Sequence, residues 1–389
     1  MIKEMVMMQT RRTADLQRIV TGVASLLIGG LVLTVTCAAQ DLSDVFAGSL
    51  RQVKTDSEAS FRGLSVVSSD IVWASGSGGN VIRTTDGGKS FEAVNIPDAE
   101  DLDFRDIEAF SAKVAVAMSA GNPAKAYRTE DGGKNWTLVY EKSHEKVFFD
   151  SMAFWNAQDA DSRKGIAFSD PIAGKLFMIR TSDGGRTWTA TNDDERPAAL
   201  KGEAGFAASG TCLTVHGEKH VWIGLGGKTG GDDGQSKARV AMSHDGGATW
   251  QHANTCLASS ESAGIFSLVF ADSKTGVAVG GDYLDPKEDS GNVAITSDGG
   301  VTWSLAEKRP DGFRSAVDVV EKNGKRIWIT TGQSSGNGGI DLSVDNGFTW
   351  QTISDAMFHT AKFSPDGSTA WFTGADGAAA VLDCNVMVE

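Results

Sequence analysis

Thr181-Ser-Asp183-Gly-Gly185-Arg-Thr187-Trp188 decides the fold of this chain, because the pattern occurs six times. The other copies start at Thr84, Thr129, Ser243, Thr296 and Ser343, with the acidic residue at Asp86, Asp131, Asp245, Asp298 and Asp345. Self-similarity at intervals of a few tens of residues is the mark of a solenoid, propeller or array. The Gly pair demands backbone angles with positive φ that only glycine adopts without penalty. The Asp carboxylate can accept turn amide hydrogens. Each copy therefore predicts a tight hairpin between two strands.

Reading backwards from each box gives an apolar strand ending in a small residue, as at 71–76, 114–118 and 276–280. A further short strand precedes it, opening on Phe61, Phe104, Phe149, Phe206, Phe266, Phe313 and Phe358. There are seven such strands for six boxes, and helical periodicity is absent. Four-stranded units with a box between strands three and four arrange radially. The expected fold is all-β: a seven-bladed β-propeller of four-stranded antiparallel blades with Asp-box hairpins, spanning 61–384. The last unit has three strands and no box. The segment 49–54, within an N-terminal stretch at 40–60, is the expected fourth strand, which would close the ring and remove its edges. Residues 385–389 read as a tail, and the Gly-rich segment 226–234 as a long loop of blade four.

The bulk numbers agree with one large globular domain: 389 residues, 41% hydrophobic and 22% charged. High Gly and low Pro, 46 and 7, suit many tight turns rather than a disordered linker. The net charge of −14 argues against nucleic acid and anionic lipid as partners. Residues 1–39 run from a basic segment ending at Arg18 through an apolar run at 19–35 to Cys37-Ala38-Ala39. That order predicts a secretory signal and an exported, periplasmic or extracellular protein. A lipoprotein cysteine at Cys37 and an uncleaved membrane anchor are the alternatives. The remaining cysteines, Cys212, Cys256 and Cys384, form neither a disulfide framework nor a zinc motif.

The boxes match the bacterial neuraminidase repeat. With segments such as Leu102-Asp-Phe-Arg-Asp-Ile107, Phe206-Ala-Ala-Ser-Gly-Thr211 and Gly280-Gly-Asp-Tyr283, the chain resembles the bacterial relatives of the photosystem II stability/assembly factor. That resemblance implies a non-enzymatic scaffold holding a protein or peptide client through an arginine-containing face, without a cofactor. Relatives are often labelled oxidoreductases or glycosyl hydrolases, and nothing in the repeat supports either label.

The boxes themselves are expected on the outer rim, in structural roles. Chemistry is expected at the mouth of the central channel, where the residues after the seven phenylalanines gather: Arg62, Arg105, Asp150, Ala207, Ser267, Arg314 and His359. Asp170, Asp282, Tyr283 and Glu203 are expected on the same face. Two cations 6 Å apart repel by about 2.8 kcal/mol at an effective dielectric near 20. The three arginines therefore require counter-charges. These are either Asp106, Asp150 and Asp318 in an internal network, or the carboxylate of a ligand held by guanidinium forks. The second case also resembles a sialidase acting on an acidic carbohydrate, with Tyr283 as nucleophile, Glu203 as its base and Asp150 as acid/base. Metal binding has little support: His216 and His220 flank a strand turn, and Asp285, Glu288 and Asp289 lack ordered ligand spacing. Gly227-Lys228-Thr229 lacks the glycine and helix of a phosphate loop.

Overall fold

A computed structural model describes residues 49–155, 162–229, 236–334 and 337–385. The expected signal at 1–39, part of the loop at 226–234 and most of the tail lie outside them. The described residues form seven antiparallel sheets arranged as the blades of a β-propeller. The innermost strands are Phe61–Val66, Asp103–Ala109, Phe149–Phe154, Leu213–His216, Ala263–Phe270, Ala316–Lys322 and Thr360–Phe363. Blade seven is Thr360–Phe363, Thr369–Thr373 and Ala379–Asp383, and its outer strand is Leu50–Val53. Leu50 pairs with Leu382 and Val53 with Ala379, so the first described strand completes the last blade.

Each blade buries apolar residues against both neighbours, with Trp73, Trp222, Trp328 and Trp371 on second strands fully enclosed. The boxes join these layers. In the third box, Asp183 Oδ1 accepts the Thr181 hydroxyl at 2.7 Å and the Thr187 amide at 3.0 Å, while Oδ2 accepts the Thr187 hydroxyl at 2.6 Å. The same bonds recur at Asp245, Asp298 and Asp345. At Asp245, burial works against ionisation, yet the Thr249 and Ser243 donors hold the pKa at about 2.

The second glycine of each box packs on the preceding blade. A Cβ on Gly185 would stand 2.8 Å from Val116, and one on Gly347 2.7 Å from Val277. Tryptophans and arginines then clip the blades together from the other side. Trp222 donates to Gly299 at 2.7 Å, Arg128 Nε to Gly184 at 3.0 Å, and Arg180 to Gly247. At the ring closure Arg51 performs this role, donating to Gly87 of the first box at 3.1 Å.

Blade four departs from the expected pattern. Phe206 does not open its inner strand, which starts at Leu213. Residues 205–211 instead cross the channel. Ser209 Oγ donates to Ser315 O at 2.7 Å, Ser151 Oγ to Gly210 O at 2.7 Å, and Thr211 Oγ1 to Ser267 Oγ at 2.7 Å. The tightest point admits only glycine. Gly210 has φ 67°, and a Cβ on it would stand 2.7 Å from Asp106 Cγ. Glu203–Ala204, just before this plug, pairs with Gly226–Gly227, which continues the inner edge of blade five. The segment expected to be only a loop thus contributes a short strand.

Candidate functional site

The plug separates two cavities in the channel, one at each end. The upper cavity, at the starts of the inner strands, has a volume of about 460 Å³. It is lined by Arg62, Arg105, Asp170, Tyr283 and His359, with Phe148, Phe206, Phe266 and Phe313. Bulges aim several of these side chains. Pairing shifts register between Phe61 and Gly63, Phe104 and Asp106, and Ile265 and Ser267. The extra residue, Arg62, Arg105 or Phe266, is released from the ladder and turned toward the axis. In blade five the position equivalent to Arg62 is therefore Phe266, one residue before the expected Ser267.

Arg62 and Arg105 both reach the plug, donating to Ala208 O at 3.1 Å and to Ala207 O at 3.2 Å. Arg105 is also paired with Asp103 at 2.7 Å and lies over the Phe148 ring. Arg62 has no carboxylate in ion-pair range among the described residues. Burial, then the neighbouring Arg105 charge, lowers its pKa to about 10, so it stays a cation at neutral pH. His359 donates to or accepts from Ser60 at 3.2 Å. Burial, with Arg62 and Arg105 beside it, lowers its pKa to about 3 and keeps it neutral. Phe206 stacks on Phe266 at 4.2 Å, and Phe313 and Tyr283 meet the Phe266 ring edge-on, forming an aromatic wall.

Arg314 does not join them. Phe313 and Ser315 line the cavity, and side chains alternate along extended backbone, so the residue between points into the blade. There its Nε donates to Asp341 Oδ2 at 2.7 Å, with both side chains buried. Glu203 is likewise withdrawn: both carboxylate oxygens accept from Arg239 at 2.7 Å, and Oε2 also takes the Leu200 amide. Asp282 accepts the Leu284 amide in its own turn. The three-arginine grip and the Tyr283–Glu203 couple of a sialidase are therefore not assembled. Arg239 and Asp341, the partners that remove them, carry no motif in the sequence.

The proposed carboxylate network is also divided. Asp318 faces the lower cavity of about 340 Å³ with Glu108 and Lys362, while Asp106 is buried and accepts the Met152 amide. Lys362 Nζ lies 3.2 Å from Glu108. Burial alone would lower the Lys362 pKa, but Glu108, Asp318 and Asp106 together raise it. Burial pushes Asp318 up to about 6 and Asp106 well above the carboxylate range. Asp150 stays at the upper end, sealed beneath Gly205, and burial followed by the Asp170 charge raises its pKa strongly. Burial brings Asp170 to about 6.

His216 pairs with His220 across the strand turn, and His220 Nδ1 lies 2.9 Å from His244 Nδ1. Among the described residues, no three His, Cys, Asp or Glu side chains are arranged to hold a metal ion. Cys212, Cys256 and Cys384 are free thiols.

These features define a class: a seven-bladed propeller with a plugged channel and a cationic, aromatic-walled cavity on its upper face. No family model matches the sequence, and no curated protein does. Among solved structures, the chain is similar to YCF48 bound to D1 peptide, at 15% identity and a TM-score of 0.55, covering 86% of this chain and 95% of that one. It is similar to YCF48 from Cyanidioschyzon merolae at 18% and 0.54, covering 86% and 99%. It is also similar to U3-55K at 9% and 0.57, covering 87% and 99%. At such identities the likeness is one of fold.

Proposed function

We propose that this protein is an exported, non-enzymatic scaffold that binds a peptide segment of a client protein in the upper cavity, in the manner of an assembly factor. One observation carries the proposal: Arg62 and Arg105 converge on an aromatic-walled cavity, and Arg62 has no carboxylate of its own. A guanidinium so placed is free to take an acidic group from outside, and the ring faces offer apolar side chains a dry wall. The structural likeness to YCF48, the photosystem II assembly factor whose structure holds a D1 peptide, supports the same mode of use. Export rests on the basic and apolar order of residues 1–39.

The test is capture of client peptides from a random library by the purified propeller, followed by titration of the enriched sequences. Enrichment of acidic peptides, with affinity lost in Arg62→Ala and retained in a variant of the lower cavity, Glu108→Gln, is the expected result. Enrichment indifferent to Arg62→Ala would overturn the proposal.

A further inference from the structure

The upper cavity has a second charged wall that the arginines do not use. Asp170 lines the cavity, and Asp150 lies behind it, its carboxyl packed against the Cα of Gly205. Asp150 is 1% exposed, and neither of its oxygens has a hydrogen-bond partner. Among the described residues Asp170 is bonded only through Oδ1, which accepts the Gly205 amide at 3.1 Å. Neither carboxyl has a Lys or Arg in ion-pair range among the described residues, since Arg105 is turned to Asp103. Buried acids are ordinarily paired. Among the described residues this pair has no ion-pair partner.

Resting on the peptide-binding reading above, we infer that the cavity takes a dipolar segment: an acidic side chain at Arg62 and Arg105, and a Lys or Arg side chain at Asp170, with an apolar residue between them. The aromatic wall of Phe206, Phe266 and Phe313 would hold the apolar residue. Asp150 is enclosed behind Asp170 and does not line the cavity, so Asp170 is the carboxylate that meets the ligand cation. An all-acidic peptide would satisfy the arginines while leaving Asp170 without a partner and facing a like charge.

Three families of end-blocked peptides separate the cases: dipolar Lys-Phe-Glu and Glu-Phe-Lys, acidic Gln-Phe-Glu and Glu-Phe-Gln, and basic Lys-Phe-Gln and Gln-Phe-Lys. Calorimetric titration into the wild-type protein should give at least one dipolar peptide a Kd about tenfold below both acidic ones. Asp170→Asn keeps the Oδ1 acceptor for Gly205 and should erase that advantage while leaving or improving acidic binding.

A readout on the unmodified protein stands beside it. The groups facing Asp170 are Arg62, Arg105, Asp150 and the neutral His359, with Asp103 behind Arg105 and Tyr283 across the cavity. Of these, Asp170 is the group poised near pH 6. From pH 7.5 to 5 the dipolar peptide should therefore weaken as Asp170 protonates, and the acidic peptides should strengthen. An acidic peptide binding as tightly as the dipolar ones, or pH slopes of the same sign, overturns the inference and leaves the peptide-binding reading intact. Absence of binding by all six peptides and by library-selected sequences overturns both.

Discussion

Arg314 and Asp341 form a buried ion pair, Nε to Oδ2 at 2.7 Å, a few residues from a cavity in which Arg62 has only a backbone carbonyl. The same residue type at repeat-equivalent positions is thus structural in blade six and available in blade one. Arg314→Ala leaves Asp341 buried without its cation and should cost about 3–5 kcal/mol in urea unfolding. Arg62→Ala should cost less than about 1 kcal/mol and act on peptide affinity instead. Equal stability losses in the two variants would contradict this division.

Gly210 is the tight point of the plug. Gly210→Ala adds a methyl 2.7 Å from Asp106 Cγ at a positive φ and should cost about 2–4 kcal/mol. Gly217 also has positive φ, 58°, but open space around its Cα. Gly217→Ala should cost only about 1 kcal/mol. The gap between the two midpoints in chemical denaturation isolates the steric contribution of the plug from backbone strain.

Removing residues 1–55 strips Leu50–Val53 from blade seven and leaves Ala379–Asp383 as a bare edge. It also deletes the Arg51 clip to the first box. The truncated protein should melt well below the protein that begins at residue 40 and associate in a concentration-dependent way during gel filtration. An unchanged melting temperature would mean that the closing strand contributes nothing.

Stability should depend on pH in two opposed windows. Asp170 and Asp318 titrate at about 6 in the fold, above about 3.9 for an unfolded Asp. A raised carboxyl stabilises the fold when protonated, so its contribution is full below about pH 4 and is lost as pH rises through 6. The box aspartates are lowered, so theirs is present above about pH 4 and lost below it. Melting temperature should rise by a few degrees from pH 7.5 to 5, then fall below pH 4. Asp318→Asn should flatten the upper limb, and a limb left steep would assign the effect elsewhere.

The fold was legible because its signals are local and repeated. Each box carries its turn chemistry in eight residues, and the count of seven inner strands to six boxes pointed to the segment at 49–54. The site was legible only in part. Arg62, Arg105, Asp170, Tyr283 and His359 do line one cavity. Arg314 and Glu203 failed because Asp341 and Arg239, distant in sequence, claim them. Ser267 failed because a bulge shifts the phase by one residue, and a bulge leaves no mark in composition. Phe206 began a strand by analogy with its repeats, yet the glycines at Gly205 and Gly210 were the available sign that this backbone turns elsewhere.

The amino-acid sequence by itself determined the blade, the number of blades and some of the positions at the channel mouth, because hairpin turns and period-two burial depend on neighbours in the chain. Tertiary structure alone decided which of those side chains are neutralised. Ion pairing and desolvation depend on groups brought together by ring closure. Arg314 and Asp341 are 27 residues apart, Arg239 and Glu203 are 36 apart, and Arg62 meets the plug across 146. That closure also set the plug across the channel and left Asp170 in one cavity with two arginines, with no Lys or Arg in ion-pair range among the described residues.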